Sequence, residues 1–224
     1  MCGRYTLRAR LNRLLEIYAA QSQIEWEPHY NIAPTQNVVG IRHAADGDHR
    51  EAVLLRWGLI PPWAGDPTIG NRMINARAET IAEKRSFISP LKRRRCLVIA
   101  DGFYEWKKEG KAKQPYYIHM KDDQPIAFAG LWERWKKNDL TIESCTIITT
   151  AANELMAPLH DRMPAILSPI DFEKWLDPTI EDPDQLTPLL DSYPADEMEA
   201  YPVSTAVNSS KGDSSDYVHP TDTQ

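Results

Sequence analysis

The sequence predicts an α+β fold: a single domain with a bent, barrel-like and mainly antiparallel β core and short peripheral helices. Three observations carry this. Apolar runs of strand length recur seven or eight times between Val38 and Val203. The helical segments between them are short and do not alternate with the strands as βαβ units would. Polar turns such as Asp46-Gly47-Asp48 and Glu109-Gly110 are placed to fold neighbouring strands back on one another.

Taken in order, Leu7, Leu11, Leu14, Leu15 and Tyr18 recur at helical spacing, with Thr6 as the expected N-cap. Residues 26–37 are rich in Pro and Asn and read as a loop. Val38–Ile41 and Ala52–Leu59 read as strands, and Pro61-Pro62-Trp63 opens an irregular loop of about twelve residues, a length that often carries function. Residues 73–80 lead into a short helix ending at Lys84. The basic run Lys92-Arg93-Arg94-Arg95 reads as a solvated turn before a strand from Cys96 to Ala100, which continues through Asp101–Trp106. Further strands are expected at 115–120, 126–132, 144–150 and 165–167, and at Val203-Ser204. Helices are expected at 153–159, 172–176 and 182–191. The domain is drawn as residues 1–208, followed by an acidic tail, 209–224, whose Ser/Asp/Thr content predicts disorder.

The bulk composition narrows the function classes. The chain has 224 residues, 42% hydrophobic and 26% charged, which is ordinary for a folded domain. No apolar run nears the roughly 20 residues that span a bilayer, and residues 1–15 have no apolar signal core, so a cytoplasmic location and no membrane partner are expected. Three scattered cysteines and six histidines without ligand spacing predict neither a disulfide framework nor a metal, and no cofactor is expected. The net charge of −6 conceals an asymmetry. Residues 171–224 hold 13 acidic and 2 basic side chains, leaving residues 1–170 at +5, which permits a local phosphate-binding groove.

The candidate chemistry begins at Met1-Cys2-Gly3-Arg4. A residue as small as cysteine lets Met1 be trimmed, which would leave a thiol and an α-amine on adjacent carbons. Those groups ordinarily titrate near ~8.5 and ~8, so both are reactive at neutral pH. Such a pair can act as an N-terminal nucleophile or trap an aldehyde as an imine and then a thiazolidine. Glu105 falls on a strand face with Ile99, Asp101 and Phe103, where partial desolvation would suit acid–base work. His160 follows a short helix and can move protons near neutral pH. Asn75 can both donate and accept. Each has a plain alternative: a frayed terminus, a solvated Glu, a surface His, and an Asn serving as a helix N-cap.

Eight segments then occur in order: Met1–Tyr5, Tyr30–Pro34, Trp57–Pro61, Ile74–Thr80, Asp101–Trp106, Thr149–Asn153, His160–Pro164, and Pro202–Ser204 with Val207-Asn208. Each alone is weak. Together they resemble the SRAP (SOS-response-associated peptidase) family over residues 1 to about 210. The resemblance implies an abasic-site sensor that crosslinks to abasic sites in single-stranded DNA through Cys2. It implies catalytic roles for Cys2, Asn75, Glu105 and His160, and DNA contacts by Arg4, Arg77 and Arg162, with Thr149 and Arg85 in matching segments. A monomer is expected. Two other readings stay open: a self-processing N-terminal-nucleophile thiol peptidase using Cys2, His160 and Glu105, and a non-covalent binder of single-stranded DNA.

Overall fold

The computed structural model describes residues 2–45, 47, 49–110 and 112–221. Among these residues there are thirteen strands: β1 (Tyr5–Leu7), β2 (Ala20–Ser22), β3 (His29–Ile32), β4 (Asn37–His43), β5 (Arg50–Trp57), β6 (Asn75–Arg77), β7 (Arg95–Ala100), β8 (Gly102–Glu109), β9 (Ala112–Met120), β10 (Ile126–Lys137), β11 (Leu140–Ala151), β12 (Arg162–Pro164) and β13 (Met198–Pro202). Four short α-helices surround them: α1 (Leu11–Ile17), α2 (Arg85–Arg93), α3 (Phe172–Leu176) and α4 (Pro183–Leu186).

The strands form two sheets. One has five strands in the order β13-β9-β8-β1-β3. The other runs β12-β11-β10-β7-β4-β5-β2 and has β6 paired to β11. A parallel pairing of β11 with β5, Cys145 opposite Trp57, closes β11, β10, β7, β4 and β5 into a five-stranded barrel. Closure removes the exposed strand edges that an open sheet would leave. The five-stranded sheet packs across the barrel. Its Tyr5 ring lies 5.2 Å from Trp57 and 5.9 Å from Phe128, and all three side chains are fully buried. Core burial at β1 therefore anchors the residues just before it, which include Cys2.

Where β5 leaves the barrel, Gly58 adopts φ 128°, and a Cβ there would sit 2.5 Å from the Gly70 carbonyl oxygen. Only glycine permits both the conformation and the close approach. This contact brings the 3-10 turn at Pro67–Arg72 against the strand and so sets the path into β6.

Several expectations are corrected. Thr6 is not a helix N-cap; it lies in β1, buried, with its hydroxyl 2.9 Å from the Tyr117 hydroxyl. Leu7 matched the helical period, but its backbone is taken up by pairing with β3, so α1 starts only at Leu11. The helix placed before Lys84 lies after it, at Arg85–Arg93, where Phe87, Pro90 and Leu91 face the core at i, i+3 and i+4 among flanking basic residues. Residues 153–159 form turns and no helix, because Pro158 has no N–H to continue one. The strand expected at 165–167 is centred earlier, at Arg162–Pro164, and β13 occupies residues 198–202, ahead of Val203. The continuous strand from Cys96 to Trp106 breaks at Asp101, where the chain crosses from the barrel to the second sheet. Asp101 is buried and accepts from the backbone N–H groups of Arg8 and Ala9. In the Asp46-Gly47-Asp48 turn, Asp46 and Asp48 lie outside the described residues.

The tail is also corrected as far as Thr221. Residues 209–221 fold back on the domain with a 3-10 turn at Ser215–Val218 and a bridge between Val203 and Pro220. Asp213 accepts from the Tyr30 N–H at 2.6 Å and faces His29 Nδ1 at 2.7 Å, while Tyr201 donates to the Val218 carbonyl. Specific polar contacts, together with Val218 buried among Tyr104, Tyr117, Val203 and Val207, hold a segment whose composition is otherwise polar. Residues 222–224 lie outside the described residues.

The basic run is not a solvated turn throughout. Arg95 is buried and donates to the carbonyls of Leu91, Lys92, Trp175 and Asp177. Burial lowers its pKa to about 10, which leaves it charged at neutral pH. Arg93 and Arg94 pair with Glu181 and Glu133. Replacing Arg95 by Met would leave those carbonyls unmatched, and we expect a loss of about 3 kcal/mol, seen as a fall of about 10 °C in thermal midpoint.

Candidate active site

Cys2 is placed by backbone pairing rather than by its own side chain. The register of β1 on β8 sets Tyr5 opposite Phe103, and the Tyr104 N–H donates to the Arg4 carbonyl at 2.9 Å. Pairing therefore extends past the strand and draws the first residues alongside Glu105. Cys2 is buried, and Asn75 Nδ2 donates to its carbonyl at 2.8 Å. Asn75 belongs to β6, which is held parallel to β11 with Asn75 opposite Ile147, so it is a strand residue and not a helix cap. Its Oδ1 is buried with no hydrogen-bond partner among the described residues.

Burial pushes the Cys2 thiol well above its ordinary value, and the nearby Glu105 carboxylate adds to the shift. The thiol is therefore protonated at neutral pH, contrary to the reactive fraction expected from a free cysteine. Glu105 is 5% exposed, and burial raises its pKa to about 6. The strand-face argument holds for Phe103 and Glu105, although Ile99 belongs to the other sheet.

His160 is half-buried after the turn that replaces the expected helix. Its Nδ1 accepts from the Arg162 N–H at 3.0 Å and lies 2.8 Å from an Asp161 carboxylate oxygen. The first contact needs a lone pair on Nδ1 and the second a proton. Burial lowers the imidazole pKa and favours the neutral ring, and the Arg162 N–H, which can only donate, assigns the lone pair to Nδ1 and the hydrogen to Nε2. Glu105 and His160 line one cleft of about 420 Å³ with Trp106, Lys108, Lys113 and Asn208. A roomier hollow of about 640 Å³ at Trp63–Arg72 shares no lining residue with it. We place the site at the smaller cleft because the acid and the imidazole line it together and the pairing of β1 on β8 carries the Cys2 segment alongside Glu105.

The basic residues divide. Arg4 Nη1 donates to Asn31 Oδ1 at 2.7 Å and to the Val207 carbonyl at 3.0 Å, and its guanidinium carbon lies 5.9 Å from the Trp106 ring. Arg77 is exposed at the end of β6. Arg162 grips Glu79 through two bonds of 2.5 and 2.9 Å and donates to the Thr149 carbonyl at 2.6 Å. Thr149 is buried with its hydroxyl turned to the Ala76 carbonyl, so it offers no side-chain contact at the surface. Arg85 stacks 5.2 Å over the exposed Trp63 ring, beside the larger hollow. Sequence reasoning missed Lys108, Lys113 and Asn31. The two lysines are directly opposite one another across β8 and β9, which only the hairpin register reveals. Among the described residues no three His, Cys, Asp or Glu side chains gather as a metal site, and no helix is long and apolar enough to cross a membrane.

The architecture joins a five-stranded barrel, a second sheet whose β1–β8 pairing positions the Cys2 segment, and a cleft lined by a carboxyl and an imidazole. The chain belongs to the SRAP family: it matches "SOS response associated peptidase (SRAP)" over residues 1–210. It is 48% identical over 223 residues to "Abasic site processing protein YoqW" of Bacillus subtilis strain 168, covering 97% of this chain and 99% of that one. It is 31% identical to "Abasic site processing protein YedK" of Escherichia coli K12, with 98% and 100% covered. A solved structure of a Bacteroides thetaiotaomicron protein superposes with a TM-score of 0.89 at 30% identity, covering 98% of this chain and all of the other.

Proposed function

We propose that this protein processes abasic sites in single-stranded DNA by linking to them covalently through Cys2 once Met1 has been removed. The observation that carries the reading is that Asn75 holds the Cys2 backbone at 2.8 Å while the β1–β8 pairing sets that segment beside the strand whose Glu105 lines a cleft with His160. The names of the relatives agree with this substrate.

An abasic deoxyribose opens in part to an aldehyde. The freed Cys2 nitrogen, steadied by the unmatched Asn75 Oδ1, adds to that carbon and forms a carbinolamine. Loss of water leaves an imine. Cys2 Sγ then adds to the same carbon, its proton passes through Glu105 to the nitrogen, and a five-membered thiazolidine closes. One water is lost overall. Glu105 suits the shuttle because a carboxyl with a pKa of about 6 both releases and regains a proton near neutral pH. His160 presents Nε2–H to the sugar oxygen released on ring opening. Arg4, Arg77 and Arg162 hold the flanking phosphates, Arg162 by giving up part of its grip on Glu79. Such contacts position the strand without reading sequence.

Incubation of Met1-free protein with an abasic oligonucleotide should give a heat-stable adduct without borohydride, with a mass equal to protein plus DNA less one water. Equal affinity for intact and abasic strands with no adduct would instead favour the non-covalent binder.

Lys108 and Lys113 extend the reading. Like charges directly opposite across a hairpin destabilise it, and an anion in the cleft relieves the repulsion. Replacing both with Glu should weaken DNA binding by at least about tenfold. If the pair meets two phosphates, it should also flatten the salt dependence by about 1.4 in log–log slope.

A further inference from the structure

We propose that Asn31, together with the folded-back segment 207–213, is a positioning device that aims Arg4 at a substrate phosphate. This rests on the function proposed above. Asn31 is buried, and its amide is fully committed: Oδ1 accepts from Arg4 Nη1 at 2.7 Å, and Nδ2 donates to the carbonyls of Ser209 at 2.8 Å and Gly212 at 2.6 Å. Two carbonyls on one side and a cation on the other permit a single orientation of this amide. Arg4 Nη1 is held a second time by the Val207 carbonyl, and Trp106, whose ring lies beside the guanidinium, donates to Asn208 Oδ1 at 2.6 Å. Arg4 is thus gripped at one nitrogen from two sides, while its Nε is buried without a hydrogen-bond partner among the described residues. An immobilised guanidinium with an unmatched donor, packed beside the Trp106 ring that lines the cleft, is built for an oxyanion. Asn31 would touch no substrate itself. It acts through Arg4, and the acidic segment acts through Asn31, by its backbone rather than its charge.

The test measures binding of the full-length protein to an oligonucleotide carrying a tetrahydrofuran abasic analogue, which cannot form an imine, across a salt series. Arg4→Ala is expected to weaken binding roughly tenfold and to flatten the log–log salt slope by about 0.7, the loss of one single-strand phosphate contact. Asn31→Ala should do the same, and the double variant should be no weaker than Arg4→Ala alone. Asn31→Asp keeps an acceptor for Arg4 but turns an oxygen toward two carbonyls, so it should not restore binding. Asp213→Ala, at an exposed position, loosens the segment without touching Asn31 and should shift the slope in the same direction by less. It serves as the second variant should Asn31→Ala fold poorly. Full additivity of Asn31→Ala with Arg4→Ala, or an unchanged salt slope in both Asn31→Ala and Asp213→Ala, overturns the positioning role while leaving the proposed function intact. A wild-type protein that neither binds the analogue nor crosslinks a true abasic strand overturns both.

Discussion

Cys2→Ala protein, freed of Met1, is expected to form no heat-stable adduct with abasic single-stranded DNA. Alanine keeps the α-amine, so an imine can still form and be trapped by borohydride, but no sulfur remains to close the ring. We expect the reduction-independent product to fall at least about a hundredfold, since thiazolidine closure is a step no other group supplies. Folding should not confound the result: Cys2 is buried, and removing one sulfur from such a site costs only about 1 kcal/mol. Denaturing gels with and without borohydride read both products from one reaction. A heat-stable, reductant-independent adduct from the variant would rule out the thiazolidine. The same gel separates covalent capture from thiol-peptidase chemistry, which needs the sulfur but yields no DNA adduct.

Glu105→Gln should lower the rate of adduct formation by about 10²- to 10³-fold, in the range expected for loss of a positioned acid–base group. In the wild type the rate should show an inflection near pH 6 beside the steady fall set by protonation of the α-amine (ordinarily near ~8), and the variant should keep the fall but lose the inflection. Stability should change in the opposite sense. Burial raises the Glu105 pKa from 4.5 to about 6, so the folded state binds more protons than the unfolded state between those values. Stability therefore declines as pH rises from about 4.5 through about 6, and above that range the ionised carboxylate costs the fold about 2 kcal/mol. Glutamine removes this cost. The variant should melt about 4–8 °C higher than wild type at pH 7.5, and the difference should vanish at pH 4. Reduced rate together with raised stability marks a group held in place for chemistry. A variant less stable at pH 7.5 would show instead that the carboxylate is a structural anchor.

Much of the fold was legible because alternation is a local signal. The strands at β4, β5, β7, β8, β10 and β11 all lie where apolar runs of the right length stand between polar turns. The errors have a common origin. Thr6 and Leu7 carry helical signals but are recruited by strands about 20 to 100 residues away, and propensity yields to pairing of that kind. Arg95 looked solvated because a basic run usually is, and nothing local indicates that four carbonyls converge on it. The segment 209–221 is mostly polar, yet Val218 is buried against Tyr104 and Tyr117, and Asp213 and the carbonyls of Ser209 and Gly212 find partners on β3.

What the sequence determined by itself was the inventory: a cysteine beside the chain terminus, a carboxylate on an apolar strand face, an asparagine, a histidine, and a barrel-like sheet to carry them. Only the tertiary structure decided their relations. Glu105 is raised to about 6, and the Cys2 thiol is kept protonated, by burial beneath strands distant in sequence. Asn75 meets Cys2 only because β6 lies against β11, while Arg4 is aimed by residues some 27 and 203 positions away along the chain. Desolvation and through-space contact depend on which segments pack together, and no local pattern of residues encodes that.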